Sequence, residues 1–184
     1  VWMGMQADGC PHDLSSNTLQ NYLDFLSANG FNAVRLPLSA DWVNNGARTV
    51  DSQCGEYSGQ TFTAVLADVL TRLRGAGLLV LLDMHTLSYP EANEGLWCGE
   101  NATECTSESE APLVSAWTSL ASSYCGTHPN IIGADLFHEP YTATWGAGSD
   151  GTRWDLGAAR IGNAVLAQCP NWLIFVQGVG SNSG

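Results

Sequence analysis

Ile131-Ile132-Gly133-Ala134-Asp135-Leu136-Phe137-His138-Glu139-Pro140 is the stretch on which the reading of this chain turns. Its first half is apolar and β-branched and reads as a buried strand. It stops at a carboxylate followed by proline, and proline has no N–H with which to continue a ladder. Glu139 is therefore presented at the carboxyl tip of a strand rather than on a helix. A carboxyl with a raised pKa in a partly dry site delivers a proton to a leaving oxygen. Glu139 is accordingly the leading catalytic candidate, set against the alternative of a salt-bridged structural residue.

Outward from this strand the chain alternates short apolar runs with helical periods. Val1–Met5 reads as a strand. Leu19, Tyr22, Leu23 and Leu26 recur at helical spacing over residues 17–29, and Gly30 stops that helix. Asn32–Pro37 is a second strand. Phe62, Val65, Leu66, Val69, Leu70 and Leu73 form the stripe of a second helix, and Leu78–Met84 is a third strand. Pro112 opens a third helix, Ile131–Leu136 is the fourth strand, residues 154–168 are a fourth helix and Trp172–Val176 a fifth strand.

Continuous apolar strands between amphipathic helices predict an α/β fold with a covered parallel sheet. No strand is followed by a Gly-rich phosphate turn. The strand ends carry Arg35, Asp83, His85, His138 and Glu139 instead, and polar groups gathered from several strand ends favour a (β/α)8 TIM barrel over a doubly wound sheet. Such a barrel takes eight units and about 250 residues. Residues 1–184 are expected to be one partial domain, covering roughly the first four and a half βα units of a larger catalytic domain. No linker or internal repeat is visible. Two long stretches, Ser39–Gly59 and Thr86–Ala111, follow strand ends and are expected as loops at the mouth of a cleft. The acidic run Glu104–Glu110 reads as solvated surface.

Composition narrows the function. Hydrophobic residues make up 45% of the 184, and the net charge is -12, with six arginines and no lysine. Nothing here neutralises a run of phosphates, so nucleic acid is excluded as a partner. The missing lysines exclude a Schiff base and a P-loop, and no G-x-S-x-G supports a serine hydrolase. No apolar run suggests a membrane partner. The four histidines, His12, His85, His128 and His138, show no i, i+4 pairing, and the six cysteines no zinc spacing, so no metal and no cofactor is expected. Disulfides in an oxidising compartment suit Cys10, Cys54, Cys98, Cys105, Cys125 and Cys169, with 15 connectivities open. The acceptor pattern Asn101-Ala102-Thr103 agrees with a secreted, extracellular protein. No leader is visible from Val1 on, as if one had been removed or not included.

An uncharged ligand fits this surface, and seven tryptophans suit stacking on sugar rings as well as core filling. Trp42, Trp97 and Trp145 are the candidate platforms. Arg35, alone inside an apolar strand, must find acceptors; Asp83 and Asp135 are the partners within reach, and a role orienting the site is expected. Asp83 and His85 share parity along their strand and are expected to point inward together, with His85 set to bind a sugar hydroxyl.

Taken together these motifs resemble glycoside hydrolase family 5, the cellulase-type barrels. Asn32–Pro37 resembles the second-strand motif, whose arginine falls on Arg35. Leu82-Asp83-Met84-His85 resembles the third-strand motif, and Leu136-Phe137-His138-Glu139-Pro140 the fourth-strand Asn-Glu-Pro motif, whose acid/base glutamate falls on Glu139. Thr144-Trp145-Gly146 and Trp172–Val176 are similar to the segments that follow in endoglucanases. The resemblance implies retaining hydrolysis of β-1,4-glycosidic bonds in cellulose or a related β-glucan, with a nucleophilic glutamate on a seventh strand that these residues do not include. It implies substrate contacts at Arg35, His85 and His138, and a monomer at full length. Two positions depart from the pattern: His138 stands where the family has Asn, and Gln177 where relatives carry Glu. A degenerate carbohydrate-binding or signalling protein, or a mannanase of the same family, would carry the same motifs.

Overall fold

The computed structural model of the chain describes residues 4–88 and 94–180. The strand expected over Val1–Met5 falls mostly outside them. Met5 N–H donates to Pro37 O at 2.8 Å, alongside the first described strand.

Among the described residues four strands and four long helices alternate: α1 (Leu19–Ala28), β1 (Ala33–Ser39), α3 (Phe62–Gly75), β2 (Leu79–Thr86), α4 (Ala111–Tyr124), β3 (Ile131–Asp135), α5 (Trp154–Gln168) and β4 (Leu173–Phe175), with a short α2 (Ala40–Asn44) after β1. The starts follow local chemistry. The Thr18 and Thr61 hydroxyls accept from the N–H groups of Asn21 and Ala64, capping α1 and α3. Pro112 sits in the first turn of α4, where its missing N–H removes no helical bond.

All strand pairs are parallel, and the order in the sheet is β1-β2-β3-β4. A doubly wound sheet reverses direction at a switch point; here each new strand adds on the same side. Right-handed crossovers then stack every helix on one face, which is the winding of an α/β barrel. Leu36, Leu38, Val80, Leu82, Met84 and Ala134 are buried in the core. The alternate positions form the other face, where Pro37, Asp83, Asp135 and Phe175 lie side by side in register. Polar groups thus line the concave face near the carboxyl ends of the strands, where barrel enzymes work.

The stretch Ser39–Gly59 is not the open loop expected. It holds α2 and a 3-10 helix (Ser52–Tyr57), and Trp42, Cys54 and Tyr57 are buried. Trp42 packs against Phe62 with ring centroids 5.8 Å apart and donates to Ala7 O. Glu110 likewise departs from the solvated reading of the acidic run: it is 4% exposed and accepts from Trp97 Nε1 and from both Nε and Nη2 of Arg160, each at 2.9 Å. Trp97 is fully enclosed, 5.1 Å from Trp154. Gly157 lets α5 pack this closely, since a Cβ there would lie 2.6 Å from the Trp97 ring. The disulfides are Cys10–Cys54, Cys98–Cys105 and Cys125–Cys169.

Candidate active site at the carboxyl ends of the strands

Arg35 is the hub. From the middle of β1 its guanidinium reaches Asp83 Oδ1 on β2 and Asp135 Oδ2 on β3, each at 2.9 Å. Its Nη2 also lies 3.2 Å from His138 Nδ1. Both carboxylates expected as alternative partners are thus engaged at once. Asp83 is completely buried and Asp135 nearly so. Burial pushes the Asp83 carboxyl above its ordinary pKa, opposed by its hydrogen bond with His85 and by the charge of Arg35. Among the described residues no hydrogen is aimed at Asp83 Oδ1 or Asp135 Oδ1, so the site depends on the Arg35 charge more than on hydrogen bonds to those two atoms.

His85 points inward with Asp83, as their shared parity predicts, and its Nδ1 lies 2.8 Å from Asp83 Oδ2. His138 stacks on His85 with ring centroids 3.7 Å apart and planes 15° from parallel. Burial, and next the neighbouring His85, hold His138 below the usual histidine pKa.

Glu139 follows His138 at the strand tip. Its backbone has φ 46°, in the left-handed region that costs a non-glycine residue about 1 kcal/mol or more. One side chain braces this conformation: Gln177, just beyond β4, accepts from Glu139 N–H at 3.1 Å and donates from Nε2 to Asp135 Oδ2 at 2.9 Å. A carboxamide does both; an ionised carboxylate cannot donate. The Glu139 carboxyl is 53% exposed, 3.7 Å from His138 Nε2. The partly dry setting expected for it is not supplied by the described residues, because the concave face of the sheet is open beside it.

Arg35, His85, His138 and Glu139 therefore meet at one place, as the sequence reading expects. The tryptophans divide. Trp42 and Trp97 are core residues with no open face for a sugar, a correction to the expected platforms, since each indole finds a hydrogen-bond acceptor inside the protein. Trp145, 56% exposed in the segment after β3, keeps a free ring. Asp83, His85 and His138 bring donor atoms within 4.8 Å of one another, which spacing along the chain did not reveal. A metal ion is poorly served there: Arg35 already occupies Asp83 and His138 Nδ1, and two parallel rings share no point in both planes.

The profile of cellulase (glycosyl hydrolase family 5) matches residues 2–183. The chain belongs to this family. An endoglucanase of Paenibacillus polymyxa is 33% identical over 98% of the chain and 45% of that protein. The major extracellular endoglucanase of Xanthomonas campestris pv. campestris is 33% identical over 93% of the chain and 34% of its own length. Among solved structures, a complex of an endocellulase from Pyrococcus horikoshii with cellotetraose superposes with a TM-score of 0.81 at 30% identity, covering 97% of this chain and 51% of that one. The catalytic domain of the Xanthomonas enzyme gives 0.82 at 31% identity, over 96% and 50%. The chain thus spans about half or less of the relatives it matches. The barrel reading of the fold agrees with these likenesses along the length of the chain.

Proposed function

We propose that this family 5 protein hydrolyses β-1,4-glycosidic bonds in cellulose or a related β-glucan by a retaining mechanism, with Glu139 as acid/base. The carrying observation is the placement of Glu139: it projects from a strand tip into the concave face, and Gln177 and the Arg35 network fix the backbone beneath it. In the first step the Glu139 carboxylic acid gives its proton to the glycosidic oxygen as the C1–O bond breaks. A second carboxylate bonds to C1, and the two carboxyl groups of such a pair stand about 5–5.5 Å apart. In the second step the Glu139 carboxylate takes a proton from water, whose oxygen attacks C1 and releases that carboxylate. Neither Asp83 nor Asp135 suits the nucleophilic role, since both are buried and held by Arg35. The nucleophile is contributed from outside these residues.

His85 and His138 hold hydroxyls beside the cleaved bond, and Trp145 offers a stacking face. Three disulfides and the extracellular relative support a secreted protein; no described helix is long and apolar enough to cross a membrane. The test is Glu139→Gln in the protein that also carries the nucleophile. Reducing-sugar release from carboxymethylcellulose is expected to fall by about a hundredfold or more. Hydrolysis of an aryl cellobioside, whose leaving group needs less proton assistance, is expected to fall less in its glycosylation step. Equal rates for wild type and variant on the polymer refute the assignment; retention on cellulose without sugar release from wild type indicates a binding protein instead.

A further inference from the structure

Asn101-Ala102-Thr103 takes no part in the proposed hydrolysis. The three residues lie in the loop that Cys98 and Cys105 close, seven positions apart. A nitrogen link to a sugar needs an asparagine with a hydroxyl residue two positions on, both open to solvent. Asn101 and Thr103 are both exposed, and among the described residues neither side chain has a hydrogen-bond partner. Asn17, Asn29, Asn44, Asn45 and Asn130, by contrast, each give an amide hydrogen to an acceptor within the chain. No other asparagine of the chain has serine or threonine two positions on. We propose that Asn101 is an N-glycosylation site, which carries an oligosaccharide at the rim of the cleft.

The loop is built to present that side chain. Ala102 N–H donates to Gly99 O at 3.3 Å, and Asn101 has φ 57°, so Glu100 and Asn101 form the tip of a turn. Asparagine is among the few residues that tolerate this conformation. A turn role accounts for the asparagine but not for the unengaged hydroxyl of Thr103; an acceptor site accounts for both. The base of the loop is held firmly. Cys105 is buried, and its N–H donates to Gly151 O at 2.7 Å, in the segment after β3. Gly99 and Glu100 line a cavity of about 450 Å³ together with Leu87 and Ser88, which directly follow β2. The modified amide therefore stands on the side of the strand ends, beside the cleft and not on its catalytic residues. Three disulfides fit an oxidising secretory compartment, where the transfer takes place. In that transfer Asn101 Nδ2 gives up a proton to water and bonds to C1 of the first sugar of an oligosaccharide held on a lipid diphosphate. The C1–O bond to phosphate breaks, and the lipid diphosphate leaves with its electron pair; nothing is oxidised or reduced.

The test uses the full protein that carries these residues, secreted from a yeast host, and needs no substrate. Peptide mass spectrometry reads the site in two states: the intact glycopeptide, and the same peptide after enzymatic deglycosylation in heavy-oxygen water, which leaves a labelled aspartate in place of Asn101. The expected result is a sugar mass on most wild-type peptides that span Asn101, replaced by the heavy label after treatment. Thr103→Ala keeps the asparagine and removes the hydroxyl; it is expected to lose both the sugar mass and the label. Asn101→Gln is expected to abolish the change in electrophoretic mobility that deglycosylation produces from this site. Should either variant fail to be secreted, the wild-type peptide decides. A bare Asn101 in secreted wild type, or a label that persists in Thr103→Ala, overturns the inference. Either outcome leaves the reading of Glu139 untouched, since that rests on sugar release and this on a covalent mass.

Discussion

Replacing Arg35 by methionine removes the cation that Asp83 and Asp135 share while keeping a side chain of similar length. The guanidinium stands 2.9 Å from an oxygen of each, and at an effective dielectric of 20 each attraction is about 6 kcal/mol. That is not the cost of the substitution, because the carboxyls have an escape: one of them takes up a proton. Protonating a carboxyl of pKa about 3.9 at pH 7 costs about 4 kcal/mol, and one proton on this adjacent pair relieves most of the repulsion. The variant is therefore expected to lose about 4 kcal/mol at pH 7. The sign of the pH dependence follows. A carboxyl whose folded pKa is raised binds more proton folded than unfolded, so stability falls as pH rises from the unfolded pKa through the folded one. The gap between wild type and variant should shrink by about 1.4 kcal/mol per pH unit on acidification and approach zero near pH 4. Wild type starts with the same tendency at Asp83, so the difference is the quantity to follow. Urea unfolding at four pH values from 4.5 to 7.5 measures it. Arg72→Met is the control: Arg72 pairs with the partly exposed carboxylates of Glu56 and Asp68, and its loss should cost under about 1 kcal/mol. A gap for Arg35→Met that is flat with pH, or below 1 kcal/mol at neutral pH by the same measure, refutes the role of Arg35 as the charge on which two buried aspartates depend.

Gln177→Leu strips an acceptor from Glu139 N–H and a donor from Asp135; in the protein that also carries the nucleophile, kcat on a soluble β-glucan should drop by about tenfold with little change in KM, since about 1.5 kcal/mol of positioning is lost. Gly157→Ala drives a methyl into the Trp97 ring and should lower stability by about 1–3 kcal/mol, read as a depressed Tm with reduced near-ultraviolet dichroism. Replacing Cys125 and Cys169 together by serine opens a link across 44 residues and should cost about 4 kcal/mol by chain entropy, measured in urea. The outer edge of β4 and the exposed Leu173, Phe175 and Val176 beside it should make the 184-residue chain self-associate, and Leu173→Lys should reduce this; a monodisperse monomer by light scattering for the unaltered chain contradicts the expectation.

The strand–helix rhythm was legible because apolar period and glycine stops act locally: the four strands and four long helices lie within about two residues of their expected bounds at most ends. The meeting of Arg35, His85, His138 and Glu139 was legible for a different reason, since strand ends in a parallel sheet share one rim. What was not legible was partner choice across distance. Glu110 looks like any residue of an acidic run, and only the fold brings Arg160, fifty positions on, against it. Trp42 and Trp97 share their residue type with Trp145, yet enclosure depends on Phe62 and Trp154, which no local pattern links to them. The stacking of His85 on His138 hides for the same reason: one ring stands near the end of β2, the other just beyond β3, and no spacing in sequence announces them.

Cys125 and Cys169 close α4 and α5 at their carboxyl-terminal ends. These ends sit below the sheet, at the floor opposite the rim that carries Glu139. The covalent tie thus secures durability at one pole while Glu139, the proposed acid/base, occupies the other. A reductant could slacken the scaffold without meeting a single polar atom of the cleft. Resistance to heat and chemical tempo therefore stand as separately adjustable properties of this chain, open to selection one at a time.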